Sequence, residues 1–319
     1  MLKEMQVLAT GKLRDTALNI LRAQVILHDW QKGGKRPENE FYALLQEADA
    51  LYSIGNVKID ESFLARAPKL KVIAQASVGY DNIDIAACQK FGVRVGNTPG
   101  VLVDAVADLA YALLIDTARG IVRGHEHVKS GAWGARKGVG FGVDLAGKIV
   151  GIIGMGAIGA ALAKRAQASK MQIVYHNTRV RTDEAEMGAQ YVALEELLKI
   201  SDFIVVSVPL TQETTGLIGT AEFAKMKPTA RFINTSRGKV VDTMALYEAL
   251  RTGEIAAAAL DVVDPEPLPS NHPLLTLSNI TITPHIGTST VETRDQMATL
   301  AANNIIAALR GDAMPAEVV

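Results

Sequence analysis

A chain of 319 residues, 48% hydrophobic and 21% charged, is long enough for two domains and apolar enough to bury a large core, which excludes disorder. A formal net charge of -1 leaves no basic surplus to neutralise a nucleic-acid backbone or an anionic membrane. The richest apolar stretch, 101–121, is interrupted by Asp104, Asp108, Asp116 and Arg119, and the opening MLKEMQVLAT lacks a signal-peptide core; neither a membrane span nor secretion is indicated, and a cytoplasmic protein is expected.

From the first strand onward, short β-branched runs alternate with helical patterns, as in parallel sheets covered by helices on both faces. The first series predicts strands over 6–9, 25–28, 50–53, 71–74 and 93–95. The single cysteine, Cys88, lies in the helical pattern IDIAACQKFG. It excludes an internal disulfide or a multi-cysteine metal site and reads as a small buried core residue, so no metal is expected. A turn at Asn97-Thr98-Pro99-Gly100 ends this series, and a long helix begins near Val101. The second series predicts strands over 149–153, 172–175, 203–208, 231–234, 257–260 and 280–283. A second crossover near Pro284 returns the chain to the first domain, where a final helix over about 290–309 stops at Gly311. The expected fold class is α/β with two doubly wound parallel-sheet domains. One comprises 1–98 with 287–319, the other 99–286.

Between the predicted strand KIVGII and the helical pattern AALAKRAQA stands Gly154-Met155-Gly156-Ala157-Ile158-Gly159. In a strand-turn-helix unit the first glycine makes the turn, the second admits a pyrophosphate close to the backbone, and the third lets helix and strand pack closely. The helix N-terminus adds unpaired N–H groups and a positive dipole end. A dinucleotide cofactor is expected. Sites that prefer NAD usually carry an acidic residue about 20 residues further on. Here the chain reads Tyr175-His176-Asn177-Thr178-Arg179-Val180-Arg181. Amide, hydroxyl and guanidinium groups suit a 2′-phosphate, so NADP(H) is favoured, with NAD(H) also accommodated.

Three polar residues follow three successive predicted strands: Arg237 after RFINTS, Glu266 after AALDVVDP and His285 after ITITP. Ligands of open α/β sheets lie outside the carboxyl ends of the strands, so these residues are candidates for one crevice. Reduction of a 2-oxo acid needs a cation for the carboxylate and carbonyl and an acid for the nascent alkoxide. Arg237 suits the first task, and His285 the second, with Glu266 orienting the ring and favouring its protonated form.

The runs NTSRGKVVD, LDVVDPEPLPSNHPL, TPHIGTST, SVGYDNIDI and NTPGVLVDAVADLA together resemble the D-isomer-specific 2-hydroxyacid dehydrogenase family, and within it the glyoxylate/hydroxypyruvate reductases. The resemblance spans nearly the whole chain and implies a Rossmann cofactor domain inserted into a flavodoxin-like substrate domain. It also implies reduction of glyoxylate and hydroxypyruvate to glycolate and D-glycerate, with Arg237 on the substrate, His285 as acid/base and Glu266 as its partner. Val78 and Gly79 would hold the substrate carboxylate through their backbone, with Ile54 and Thr288 near its tail. Met155 to Ile158 would meet the pyrophosphate, and Asn177, Thr178 and Arg179 the 2′-phosphate, with Arg181 a further candidate. Val208, Pro209, Thr214, Thr235, Ser236 and Gly287 would line the cofactor, and Asp261 would accept from the nicotinamide carboxamide. Members of the family usually pair as homodimers through the cofactor domain, using the segment 101–147. Some place a second tryptophan three residues after the position of Trp133, where this chain has Arg136. Glu266 argues against a formate dehydrogenase. A 2-ketogluconate reductase shares nearly all these motifs, and a dinucleotide-sensing corepressor is the alternative that is not an enzyme.

Overall fold

The computed structural model describes residues 2–32, 36–55, 57–134 and 138–319. The chain forms two compact units, Met1–Leu102 with Ser289–Val319 and Val103–Thr288. The expected boundaries at 98/99 and 286/287 lie a few residues earlier in the chain.

In the discontinuous unit the strands are β1 Gln6–Ala9, β2 Ile26–His28, β3 Ala50–Ser53, β4 Val72–Gln75 and β5 Arg94–Gly96. All pair in parallel, in the order β2-β1-β3-β4-β5, which is the flavodoxin-like order. Successive side chains alternate between two apolar layers. Val7, Ala9, Ala50, Tyr52, Val72 and Ala74 enter one, while Leu8, Leu51, Ile73 and Val95 enter the other. A sheet buried on both faces needs strands that are apolar throughout, which is why these runs show no polar alternation. The final helix, Val291–Arg310, covers the first face with Ala298, Ala301, Ala302 and Ile305. Thr290 caps it by accepting from the Thr293 N–H, and Gly311 ends it at φ 84°.

The continuous unit holds β6 Ile149–Ile153, β7 Gln172–His176, β8 Ala189–Tyr191, β9 Phe203–Val206, β10 Arg231–Asn234, β11 Ala257–Leu260 and β12 Ile280–Ile282. Their order is β12-β11-β10-β9-β6-β7-β8, again parallel. The edge strand β8 is the one strand the sequence pattern missed, because AQY is too short to show a periodicity. Strand order reverses between β6 and β9, the switch point at which such sheets receive dinucleotides. Helices Val103–Arg119 and Ala157–Ala168 pack on one face through Ala107, Ala110, Leu114, Leu162 and Ala166, against Val150, Ile152 and Phe203. Among the described residues no helix is long and apolar enough to cross a membrane.

Candidate active site

The glycine turn directly follows β6. Gly154 adopts φ +100°, and a Cβ there would lie 2.5 Å from the Ser207 carbonyl oxygen and 2.8 Å from Val208 Cγ1, so only glycine permits the turn to cross the end of β9. A Cβ on Gly159 would collide with the Gly154 carbonyl, which fixes the close packing of helix on strand. Gly156 differs: nothing lies within 4 Å of its ideal Cβ position, and Gly156 and Ala157 are exposed. Helix Ala157–Ala168 begins there without a side-chain cap, leaving its first N–H groups for an anion. An open cradle above the second glycine, at an uncapped helix N-terminus, fits a dinucleotide pyrophosphate. Met155 does not contribute in the expected way, because it is 1% exposed and its N–H donates to Asn177 Oδ1 at 2.6 Å.

The segment after β7 is arranged by its own polar groups. Asn177 spends its oxygen on Met155. Thr178 and Arg179 are exposed, and Arg179 has no hydrogen-bond or ion-pair partner among the described residues. Arg181, a further candidate for the 2′-phosphate, is corrected by the geometry. Its Nε and Nη2 bind Asp183 at 2.8 and 2.7 Å, and its Nη1 donates to the Met155 carbonyl at 2.9 Å.

Parallel pairing aligns the ends of β10, β11 and β12, with Asn234 beside Leu260 and Leu260 beside Ile282. The three candidate catalytic residues therefore leave adjacent strands on one edge of the sheet. His285 Nδ1 lies 2.6 Å from Glu266 Oε1, both side chains being partly exposed. His285 has φ +52°, in the left-handed region, a conformation that side chains other than glycine rarely adopt and that concentrates at functional sites. Arg237 is half-buried and directs one Nη1–H to the Ser236 carbonyl. Gly238 explains how its loop approaches the next: a Cβ there would collide with the backbone of Val263 and lie 2.6 Å from Asp264 N. Thr243 Oγ1 reinforces the contact by donating to the Asp264 carbonyl at 2.8 Å.

In the other unit, the loop after β4 has its carbonyls tied down. Ser77 Oγ donates to the Gly79 carbonyl at 2.6 Å and Asn97 Nδ2 to the Val78 carbonyl at 2.9 Å. The N–H groups of Val78 and Gly79 have no partner within the described residues. Ile54, just after β3, is held by Thr10, whose hydroxyl accepts from the Ile54 N–H at 2.7 Å.

Residues 111–287 match the model of the D-isomer specific 2-hydroxyacid dehydrogenase NAD binding domain. The glyoxylate reductase of Thermococcus litoralis is 46% identical over 97% of this chain and 95% of its own. The chain belongs to the D-isomer-specific 2-hydroxyacid dehydrogenases. A solved protein of Thermus thermophilus superposes with TM-score 0.91 at 43% identity, covering 99% of this chain and 100% of its own. The NADPH-dependent glyoxylate/hydroxypyruvate reductase of Sinorhizobium meliloti, solved with NADP and malonate, gives TM-score 0.88 at 29% identity, covering 99% and 97%.

In this dehydrogenase two positioning residues stand out, one of them missed by the sequence reading. Asp261, at the end of β11, is 2% exposed. Its Oδ1 accepts from Thr283 Oγ1 at 2.6 Å and Ile286 N–H at 2.8 Å, and its Oδ2 from Gly287 N–H at 2.8 Å. The His285 N–H donates to the Asp261 carbonyl at 2.9 Å. Asp261 thus anchors the segment carrying His285, with two hydrogen bonds on Oδ1 and one on Oδ2. The Gly287 N–H is likewise spent on Asp261, while Thr288 is half-buried. Asn234, 1% exposed, accepts from the Ser236 N–H and Oγ and donates to the Arg237 carbonyl at 2.9 Å. A polar residue closing the apolar run RFIN was the available signal. Thr235 beside it is half-buried, Pro209 is exposed, and Thr214 turns its hydroxyl to the Pro209 carbonyl at 2.7 Å. Arg136 lies outside the described residues.

Proposed function

We propose that this dehydrogenase reduces glyoxylate and hydroxypyruvate to glycolate and D-glycerate, with NADPH preferred over NADH. The observation that carries the reading is the 2.6 Å contact between His285 Nδ1 and Glu266 Oε1, in the same unit as the open glycine turn. With Nδ1 held by the carboxylate, Nε2 is the nitrogen left to exchange a proton with substrate. A reduced nicotinamide, when bound, supplies hydride to the carbonyl carbon. His285 delivers the proton to the carbonyl oxygen from Nε2, and Glu266 holds the ring for that transfer. The planar guanidinium of Arg237 takes the substrate carboxylate and polarises the carbonyl.

The cofactor preference rests on the segment after β7. Arg179 is exposed and uncommitted, Thr178 offers a hydroxyl, and Asn177 retains its amide N–H groups. No carboxylate stands at position 177 to repel a 2′-phosphate. The Sinorhizobium protein is named NADPH-dependent and was solved with NADP, which supports this reading. The unit Val103–Thr288 also exposes Ile121, Val122, Val128, Trp133 (81%) and Phe141 (104%) within one segment. Large apolar side chains so placed mark an association surface, and a homodimer through the segment 101–147 is proposed.

Steady-state loss of NADPH and NADH absorbance with glyoxylate and hydroxypyruvate tests the reading. Turnover of both acids, with higher kcat/KM for NADPH, is expected. No turnover of either acid overturns the substrate assignment, and equal kcat/KM for the two cofactors overturns the preference. Light scattering of the purified protein at a dimer's mass supports association, whereas a monomer at micromolar concentration refutes it.

A further inference from the structure

The peptide of Met155 is held from both sides by the segment after β7. Its N–H donates to Asn177 Oδ1 at 2.6 Å, and its carbonyl accepts from Arg181 Nη1 at 2.9 Å. Met155 is the residue between the first two glycines of the turn, and it is 1% exposed. Arg181 is itself fixed at three further atoms. Asp183 takes its Nε and Nη2 in a two-pronged pair, and the Arg181 N–H donates to the Tyr175 hydroxyl at 2.9 Å. Tyr175, fully buried, passes the restraint on by donating to Glu184 Oε2 at 2.9 Å. The pairing holds the Asp183 carboxyl below the usual carboxylate range, through its hydrogen bonds with Arg181.

From this geometry we infer that Arg181 is a positioning residue that sets the glycine turn through the Met155 carbonyl, rather than a ligand of the cofactor. Three of its five guanidinium N–H groups are engaged, and its two-pronged edge and its charge are already matched by Asp183, which sets it apart from an arginine held ready for a phosphate. The carbonyl it holds belongs to the turn itself, so its contribution reaches the pyrophosphate, which NADH and NADPH share. Arg179 has the opposite character: it is exposed and uncommitted, and it acts only where a 2′-phosphate is present. Two arginines two residues apart thus divide the work, one shaping the site for any dinucleotide and one selecting between dinucleotides.

The proposal rests on the reading that the glycine turn receives the pyrophosphate, and that reading has its own control. Gly156→Val places a side chain in open space, so it should leave the fold intact and abolish dinucleotide binding. Unchanged affinity in that variant overturns the turn assignment and not the clamp.

The clamp is tested by titrating NADPH and NADH into the native protein, Arg181→Ala, Arg181→Lys and Arg179→Ala, alongside thermal melts. Arg181→Ala should weaken both cofactors by the same factor, about tenfold for loss of a charge-assisted bond, with the NADPH-to-NADH affinity ratio unchanged. Arg179→Ala should change that ratio. Arg181→Lys keeps the charge but cannot bind Asp183 on two prongs and reach the Met155 carbonyl together. It should give a smaller loss that is again equal for both cofactors, and it serves if the alanine variant does not fold. A loss confined to NADPH in either Arg181 variant makes Arg181 a phosphate ligand and overturns the inference. So does a folded variant with native affinity for both, or one that lowers the melting temperature while leaving affinity unchanged.

Discussion

Asp261→Asn keeps the size of the side chain while removing its charge and exchanging one acceptor oxygen for a donor. In the native site Oδ1 accepts two hydrogen bonds and Oδ2 one, from Thr283, Ile286 and Gly287. With the amide nitrogen in place of Oδ2, the Gly287 N–H faces another donor in a site 2% exposed, a loss of about 1–3 kcal/mol. The two bonds that remain pass from a charged to a neutral acceptor, from roughly 1.5–3 to about 1 kcal/mol each. Partial relaxation leaves a net loss of about 2–4 kcal/mol on the segment that holds His285 at φ +52°. A left-handed conformation itself costs about 1–3 kcal/mol at a residue other than glycine, so the weakened anchor no longer over-determines it. A catalytic group displaced by about 1 Å loses on the order of 10²-fold in rate. Steady-state NADPH oxidation with glyoxylate should therefore show kcat about 10²-fold below native. Thr283→Val, which removes one of the three donors, should lose only severalfold. An Asp261→Asn protein with kcat within about twofold of native would refute the anchoring argument.

His285→Ala should retain dinucleotide affinity while kcat falls by about 10²–10⁴, the usual contribution of positioned proton transfer; a variant keeping most of its turnover removes His285 from the mechanism. Glu266→Ala should lower kcat by up to about 10²-fold with dinucleotide affinity retained, because Nδ1 loses the partner that orients the ring. Native kcat in that variant argues against the pairing. Arg179→Ala should reduce kcat/KM with NADPH by about ten- to a hundredfold and leave NADH nearly untouched, and raised salt should narrow the native preference, since the residue is exposed; equal losses with both cofactors would refute the assignment. Cys88 is fully buried, and burial pushes its thiol up to about 11. It should resist thiol reagents at pH 8 until denaturant is added, and rapid labelling of the native protein would contradict the packing.

The α/β class was legible because a sheet buried on both faces demands largely apolar strands, and eleven of the twelve strands among the described residues overlap the short runs read from the sequence. The exception, β8, is a three-residue edge strand whose pairing comes from its neighbour β7. The glycine turn was legible for a related reason. Each glycine answers a steric demand of its own, and the Cβ positions at Gly154, Gly156 and Gly159 reproduce the collision, the open space and the close packing that the motif implies. Arg237, Glu266 and His285 were legible as chemistry at predicted strand ends, and the parallel pairing of β10, β11 and β12 sets those ends side by side.

Only the tertiary structure decided which polar groups are free and which are spent. Arg179 and Arg181 look equivalent in the sequence, yet the first is exposed and the second is consumed by Asp183 and the Met155 carbonyl. Asp261 carries a similar ambiguity, and three donors from residues 283–287 make it the anchor of the His285 segment. Asn234 holds the Arg237 loop in the same way. A sequence states what donors and acceptors a chain owns. Whether each is satisfied depends on partners brought near by folding, because a hydrogen bond is made over about 3 Å and is indifferent to separation along the chain.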